Sequence, residues 1–321
     1  SDSVRGYPLR AFVICLIAYT TAQMDLALFG YAVPAIRAEF GLTLSEVMAI
    51  VSAAFLFGGA LLVVLGWLAD RVGRLPLFQF SLLGSSFLVA LISTAPGVAT
   101  LTALRGASIA VGGLSYPITG AIITEEMPAR LRGLFMGLLQ IGYPLGWALA
   151  SLWSMWLLTE YGWRQLFWVG LVSLPMVWVV RRYLREPPRS VAARSTEPPP
   201  RFSDLFATGV RERAVTLFIA QFLFVWAYAA SIFLFPSFLR EVRALDAFNF
   251  SLLIGAGNVI GVLGYVLAAW IGERVWTRRN TVVLWTLLGA CLFQVLVWVP
   301  TTFGQILFVY ALMSMFFYGS A

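Results

Sequence analysis

Apolar windows of about twenty residues, the length that crosses a hydrocarbon layer roughly 30 Å thick, recur along this chain. Ten of them stand out, near 11–36, 47–68, 75–95, 98–123, 133–158, 163–182, 214–238, 248–271, 281–299 and 303–320. Short polar stretches separate most of them. One long interruption breaks the rhythm, the 185–213 segment REPPRSVAARSTEPPPRFSDLFATGVRER. Its charge, proline and serine content suits a polar linker and not a span. The pattern therefore predicts an all-α polytopic membrane protein. A six-span bundle over 1–184 is followed by a cytoplasmic linker over 185–213 and a four-span bundle over 214–321.

Composition narrows the chemistry. Hydrophobic residues make up 60% of the 321-residue chain and charged residues 12%, against roughly half and one quarter in soluble domains. The absence of His removes imidazole-based catalysis and His-ligated metal sites. Two cysteines, Cys15 and Cys291, supply neither a disulfide framework nor a thiolate metal site. With no carboxylate cluster either, the expectation is a protein that is not an enzyme and that uses no metal or cofactor.

The balance of 22 basic to 15 acidic residues gives a formal charge of +7, and every basic residue is Arg. With the N-terminus placed in the cytoplasm, seventeen arginines fall on the inner side, four on the outer side, and Arg105 within a span. That asymmetry is the positive-inside pattern of a multi-pass inner (plasma) membrane protein, so the charge reports topology and not nucleic-acid binding.

Two ionisable residues lie deep inside predicted spans, Asp25 in the first and Arg105 in the fourth. At 1.5 Å per residue both sit about 20 Å from the inner side, so they share a level. Such charges face each other or a cavity. Either they form an ion pair locking helix to helix, or they line a water-filled site where a proton or substrate shifts the charge balance. Gln23, Gln140, Tyr143, Gln221, Tyr228 and Asn258 could complete that site. Gly133/Gly137 and Gly142/Gly146 permit close helix contact, and Pro117 and Pro144 permit bending.

The loop GWLADRVGRL, Gly66 to Leu75, resembles the G-x-L-A-D-R-x-G-R-K signature of the major facilitator superfamily. Leu75 stands where a basic residue is usual. EEMPARLRG, Glu125 to Gly133, resembles that superfamily's P-x-x-x-R-G loop. The resemblance implies a cytoplasmic gate in which Gly66, Asp70, Arg71, Gly73 and Arg74 work with Glu126, Arg130 and Arg132. AWIGERVWTRR, Ala269 to Arg279, repeats the first motif at an offset of 203 residues. Glu273, Arg274 and Arg278 would form its second-half echo, as expected of two related halves.

Within the superfamily, DLALFGYAVPAI from Asp25, YGWRQLFWVGLVSLP from Tyr161, REPPR, and SLLIGAGNVIGVLGY from Ser251 resemble proton symporters of organic, aromatic and sialic acids. Ala22 stands where the aromatic-acid group usually has a second Asp. The resemblance implies proton-coupled uptake of a small organic anion by alternating access, by a monomer in the lipid bilayer. Asp25 would be the coupling group and Arg105 its partner. Efflux by antiport is the alternative, although Trp147 replaces the proline of the antiporters' fifth-helix motif; a non-transporting membrane sensor is a third. The superfamily has twelve spans, so ten imply a C-terminal bundle short of its last two helices.

Overall fold

The computed structural model describes residues 6–186, 211–228, 232 and 234–319, apart from the side chains at 69, 70, 213, 214, 217, 221, 224–228, 273 and 278. Expectations that rest on the segment 187–210 and on the side chains of Asp70, Gln221, Tyr228, Glu273 and Arg278 lie outside the described residues.

Among the described residues the regular structure is helical. The first half holds α1 (Tyr7–Phe40), α2 (Leu44–Val72), α3 (Arg74–Ile92), α4 (Val98–Gly113), α5 (Ser115–Glu126), α6 (Arg132–Gln140), α7 (Gly142–Glu160), α8 (Trp163–Leu166) and α9 (Leu174–Tyr183). The second holds α10 (Arg211–Tyr228), α11 (Phe235–Glu241), α12 (Ala247–Arg274), α13 (Arg278–Trp298) and α14 (Phe303–Gly319). Among the described residues eight helical stretches are long and apolar enough to cross a membrane, which makes this an integral membrane protein. The expected tenth span is the 17-residue α14, and the expected seventh is described as two pieces, α10 and α11.

Proline explains why several spans are built from more than one helix. A proline nitrogen cannot donate to the carbonyl four residues earlier, which loosens the preceding turn. The break at Leu114 between α4 and α5 lies just ahead of Pro117, and the break at Ile141 between α6 and α7 just ahead of Pro144. In the sixth span a 3-10 segment, Phe167–Ser173, runs up to Pro175 near the start of α9. Ser173 closes that segment.

The first helix occupies the centre. It packs on α3, α5, α7 and the Phe167–Ser173 segment, and buries Tyr19, Thr20, Leu28 and Phe29 on different sides. A helix apolar around its whole circumference belongs inside a bundle. Helix α2 is the opposite case, exposing Leu56, Phe57, Val63 and Val64. Helix α7 links the halves, packing on α1 and on α12, which in turn carries α14.

Glycine permits the closest of these approaches. A Cβ on Gly146 of α7 would lie 2.6 Å from Gln23 Cβ and 2.7 Å from the Thr20 carbonyl oxygen of α1. One on Gly142 would lie 2.7 Å from Tyr19 Cδ1. The α1–α7 contact depends on both positions lacking a side chain.

Candidate functional site

Asp25 is buried, 3% exposed, on the side of α1 that faces the Phe167–Ser173 segment and α4. The Ser173 hydroxyl donates to its carboxylate, 3.2 Å from Oδ2 and 3.4 Å from Oδ1. Arg105 of α4 is 2% exposed, and its Nη2 donates to the Leu26 carbonyl at 2.9 Å. Its guanidinium carbon lies 4.6 Å from the centre of the Phe29 ring, within cation–π range. Arg105 is thus anchored on the backbone beside Asp25, close enough for its charge to act on the carboxylate. Nothing in the sequence singles out Ser173, one of many serines in the spans; only the fold brings it to the carboxylate.

Gln23 is two residues from Asp25 and therefore about 160° away around the helix. It faces α7, away from Ser173 and Arg105. The expected cavity group divides accordingly. Tyr143 lies in a layer between the halves, against Tyr318; Gln23 lies by Gly146 of α7, Gln140 by Tyr116 and Asn258 on α12, whereas Asp25 and Arg105 lie on the far side of α1.

That layer is rich in aromatic rings and polar atoms. The Tyr31 hydroxyl donates to the Trp147 carbonyl at 3.2 Å, tying α1 to α7. The Tyr143 and Tyr318 ring centres are 5.7 Å apart, and Tyr265 stacks on Tyr318 at 6.2 Å. The Gln140 amide nitrogen lies 3.4 Å from the Tyr116 hydroxyl. The buried oxygens of the Gln23 and Gln140 amides accept no hydrogen bond among the described residues. Ser151 of α7 donates to the Ser251 carbonyl of α12 at 2.6 Å. Tyr310, Ser314 and Tyr318 also belong here, although in the sequence they look like ordinary members of an apolar aromatic span.

The two ends of the bundle carry the ion pairs. At one end Arg74 pairs with Glu125, and the backbone N–H groups of Arg74 and Leu75 donate to the two Glu186 oxygens, both at 2.9 Å. Glu186 therefore caps α3. The acidic partner that Arg74 finds in the EEMPARLRG stretch is Glu125. Arg71 lies over the Trp67 ring, Arg132 donates to the Met127 carbonyl at 3.1 Å, and Arg130 and Arg274 are exposed. Gly73 has φ 119°, a backbone region open mainly to glycine, whereas Gly66 faces open space.

At the other end Arg37 of α1 pairs with Glu241 of α11, joining the two halves. Glu39 accepts from Arg164 and from the Trp163 indole, each at 2.6 Å. A separate apolar hollow of about 450 Å³, lined by Trp153, Trp156, Tyr161 and Trp168, lies between the fifth and sixth spans. Trp156 and Trp168 are more than half exposed, so it is a surface feature away from both polar groups. Among the described residues no three His, Cys, Asp or Glu side chains gather as a metal site would need.

A polytopic helical bundle, with a polar layer between its halves and a charged pair buried inside one of them, defines the class. The family model described as "Major Facilitator Superfamily" matches residues 15–321, and the chain belongs to that family. It is 27% identical over 290 residues to a probable 4-methylmuconolactone transporter of Cupriavidus pinatubonensis, covering 86% of this chain and 65% of the relative. It is 30% identical over 181 residues to the cis,cis-muconate transport protein of Acinetobacter baylyi, covering 55% of this chain and 43% of that one. A gentisate transporter of Corynebacterium glutamicum is 26% identical, covering 96% of this chain and 71% of the relative. The chain thus spans less than two thirds of the length of the first two relatives. In fold it is similar to the xylose transporter XylE from E. coli in a partially occluded inward-open conformation. There the TM-score is 0.72 at 16% identity, covering 98% of this chain and 85% of that one.

Proposed function

We propose that the protein is a secondary active transporter, a carrier and not an enzyme, that moves a small organic anion together with protons by alternating access. The observation that carries the proposal is the Asp25 carboxylate, buried within a membrane-spanning helix beside Arg105 and held by Ser173. A charge at that depth costs at least about 2.5–3.5 kcal/mol, which a chain keeps where the charge is used. Asp25 is the proton-coupling group in this reading, and Arg105 tunes it by its neighbouring positive charge.

The layer between the halves is the substrate site, with Gln23, Gln140, Tyr143 and Asn258 among its walls. Relatives described as transporters of 4-methylmuconolactone, cis,cis-muconate and gentisate support a small organic acid as the cargo. In this reading a six-span bundle over 1–184 and a second over 214–321, joined by a cytoplasmic linker, rock about that layer. The protein acts as a monomer in the cell's inner membrane with its N-terminus in the cytoplasm. The motif residues Gly66, Asp70, Arg71, Gly73 and Arg74 close the cytoplasmic end, with Glu273, Arg274 and Arg278 as their second-half counterparts.

The test is uptake of organic acids into proteoliposomes holding the full chain, with and without an imposed inward proton gradient. Asp25→Asn is expected to abolish acceleration by the gradient while substrate exchange across the membrane persists. Gradient-driven uptake that survives Asp25→Asn removes the coupling role.

A further inference from the structure

The hollow between the fifth and sixth spans has no part in the transport reading, and its walls are ordered by polarity. Trp153, Trp156 and Leu157 line it from α7. Their spacing puts them on one helical face, and the next position on that face is Glu160, the exposed last residue of α7. From the sixth span Gln165, Trp168, Val169 and Val172 line it, and Tyr161 closes it at the turn between the two spans. A carboxylate, a phenol and an amide therefore stand at the mouth, and the walls below them are indole and aliphatic. Glu160 and Trp153 are seven residues apart, so the hollow runs about 10 Å inward from the end of the span.

The hollow opens on the surface of a membrane-spanning region, where Trp156, Tyr161, Trp168 and Val172 are each at least half exposed. A groove at that place meets lipid, and its aliphatic and indole walls suit an acyl chain. The mouth selects the headgroup. The Trp156 and Tyr161 ring centres are 6.0 Å apart with their planes at 90°, which makes a corner of two aromatic rings, and Trp168 belongs to the wall contributed by the sixth span. Aromatic faces attract an ammonium group placed within about 6 Å of the ring centre. Glu160 adds a negative charge, and α7 ends here with the negative pole of its helix dipole.

An anionic headgroup finds no such complement. None of the residues lining the hollow is basic. Arg164, next to Gln165 in the chain, is committed elsewhere: its Nη2 donates to Glu39 at 2.6 Å, and its Nη1 to the Ser93 and Ala95 carbonyls at 2.9 and 3.0 Å. A headgroup with a net negative charge would face Glu160 and the α7 terminus with no cation beside it. The Gln165 amide and the indole N–H groups are neutral donors, suited to the phosphate of a headgroup whose ammonium lies on the rings. We infer that this hollow binds a phospholipid with an ammonium headgroup, ethanolamine or choline, and holds one of its acyl chains between Trp153 and Val172.

The test is lipid retention by the full chain in detergent, equilibrated with equal amounts of phosphatidylethanolamine and phosphatidylglycerol of identical acyl chains and read by native mass spectrometry. The wild type is expected to retain phosphatidylethanolamine in excess. Trp156→Leu, Trp168→Leu and Glu160→Gln are each expected to lower the ratio of the two lipids about threefold, the size of one partly exposed cation–π contact or ion pair. Trp156→Phe keeps an aromatic face and is expected to keep most of the preference. All these positions are exposed, so the unfolding temperature is expected to stay within that of the wild type. Phosphatidylethanolamine carrying a diazirine on its chain is expected to crosslink within 153–172. A ratio unchanged in all three variants, or crosslinks that map elsewhere, overturns the site. Equal loss of both lipids overturns the ammonium assignment, and displacement of the lipid by choline chloride alone overturns the assignment to a lipid.

Discussion

The hydroxyl of Ser173, in the sixth span, donates to the carboxylate of Asp25 in the first. The two residues are 148 positions apart, and both are buried. The contact exists because the chain runs as a 3-10 segment up to Pro175 and ends that segment on Ser173. A donor to the ionised form of an acid favours that form. Ser173→Ala is therefore expected to displace the pH midpoint of proton-driven uptake, and Ser173→Thr, which keeps the hydroxyl, to restore it. A pH profile of uptake across pH 5 to 8 reads this directly. A purely structural serine would alter the rate at every pH alike.

Arg105 has a different role from the carboxylate it accompanies. Its bond to the Leu26 carbonyl and its position over Phe29 hold α4 against α1. A charge-assisted hydrogen bond of this kind contributes about 1.5–3 kcal/mol. Arg105→Gln is expected to lower the unfolding temperature, and Arg105→Lys to recover only part of the loss because an ammonium lacks the planar fork. Thermal unfolding in detergent checks both variants.

The α1–α7 contact is equally specific. A Cβ on Gly146 would meet the Met24 nitrogen and the Thr20 carbonyl oxygen of α1, each at 2.7 Å, and backbone cannot swing aside. Gly146→Ala is expected to cost about 1–3 kcal/mol through overpacking. Gly59→Ala, inside α2 at a position facing open space, is the comparison in the same measurement, and is expected to stabilise by up to about 1 kcal/mol through helix propensity.

How much of this could be read from the sequence depends on which coordinate is asked for. Apolar run length locates helices because the hydrocarbon thickness fixes it, and a lone charge in such a run marks Asp25 and Arg105 without any structure. Depth arithmetic, however, measures height along a helix and says nothing of direction around it. It puts Asp25 and Gln23 at nearly one level, yet they face opposite ways. The two-residue spacing already contains that result. Tyr310, Ser314 and Tyr318 were illegible for another reason. In FVYALMSMFFYG they read as a span with some polar content, and only the facing glycines of α12 show that this face is buried against another helix. Glu186 is an intermediate case: its motif was visible, but its capping of α3 depends on the chain returning to the same end.

The Arg37–Glu241 ion pair is one of the links between the halves, and it lies at the end of the bundle opposite Gly73. The Arg37 side chain is 17% exposed and that of Glu241 41%. An ion pair so open to solvent contributes at most about 1 kcal/mol, which is about a fivefold change in an equilibrium. If the halves part at this end during transport, the pair stabilises only the arrangement closed there. Arg37→Ala is then expected to raise the population open at this end by no more than about fivefold, with little effect on global unfolding. Labelling of Ser237→Cys by a membrane-impermeant maleimide, in a Cys291→Ser background, reports that opening, because Ser237 is buried one helical turn before Glu241 on α11. The double reversal Arg37→Glu with Glu241→Arg should return labelling to the starting rate, since the pair is remade with its charges exchanged. Equal labelling in all three proteins would show that the two ends of α1 and α11 separate without regard to the pair, and would leave it no part in the transport cycle.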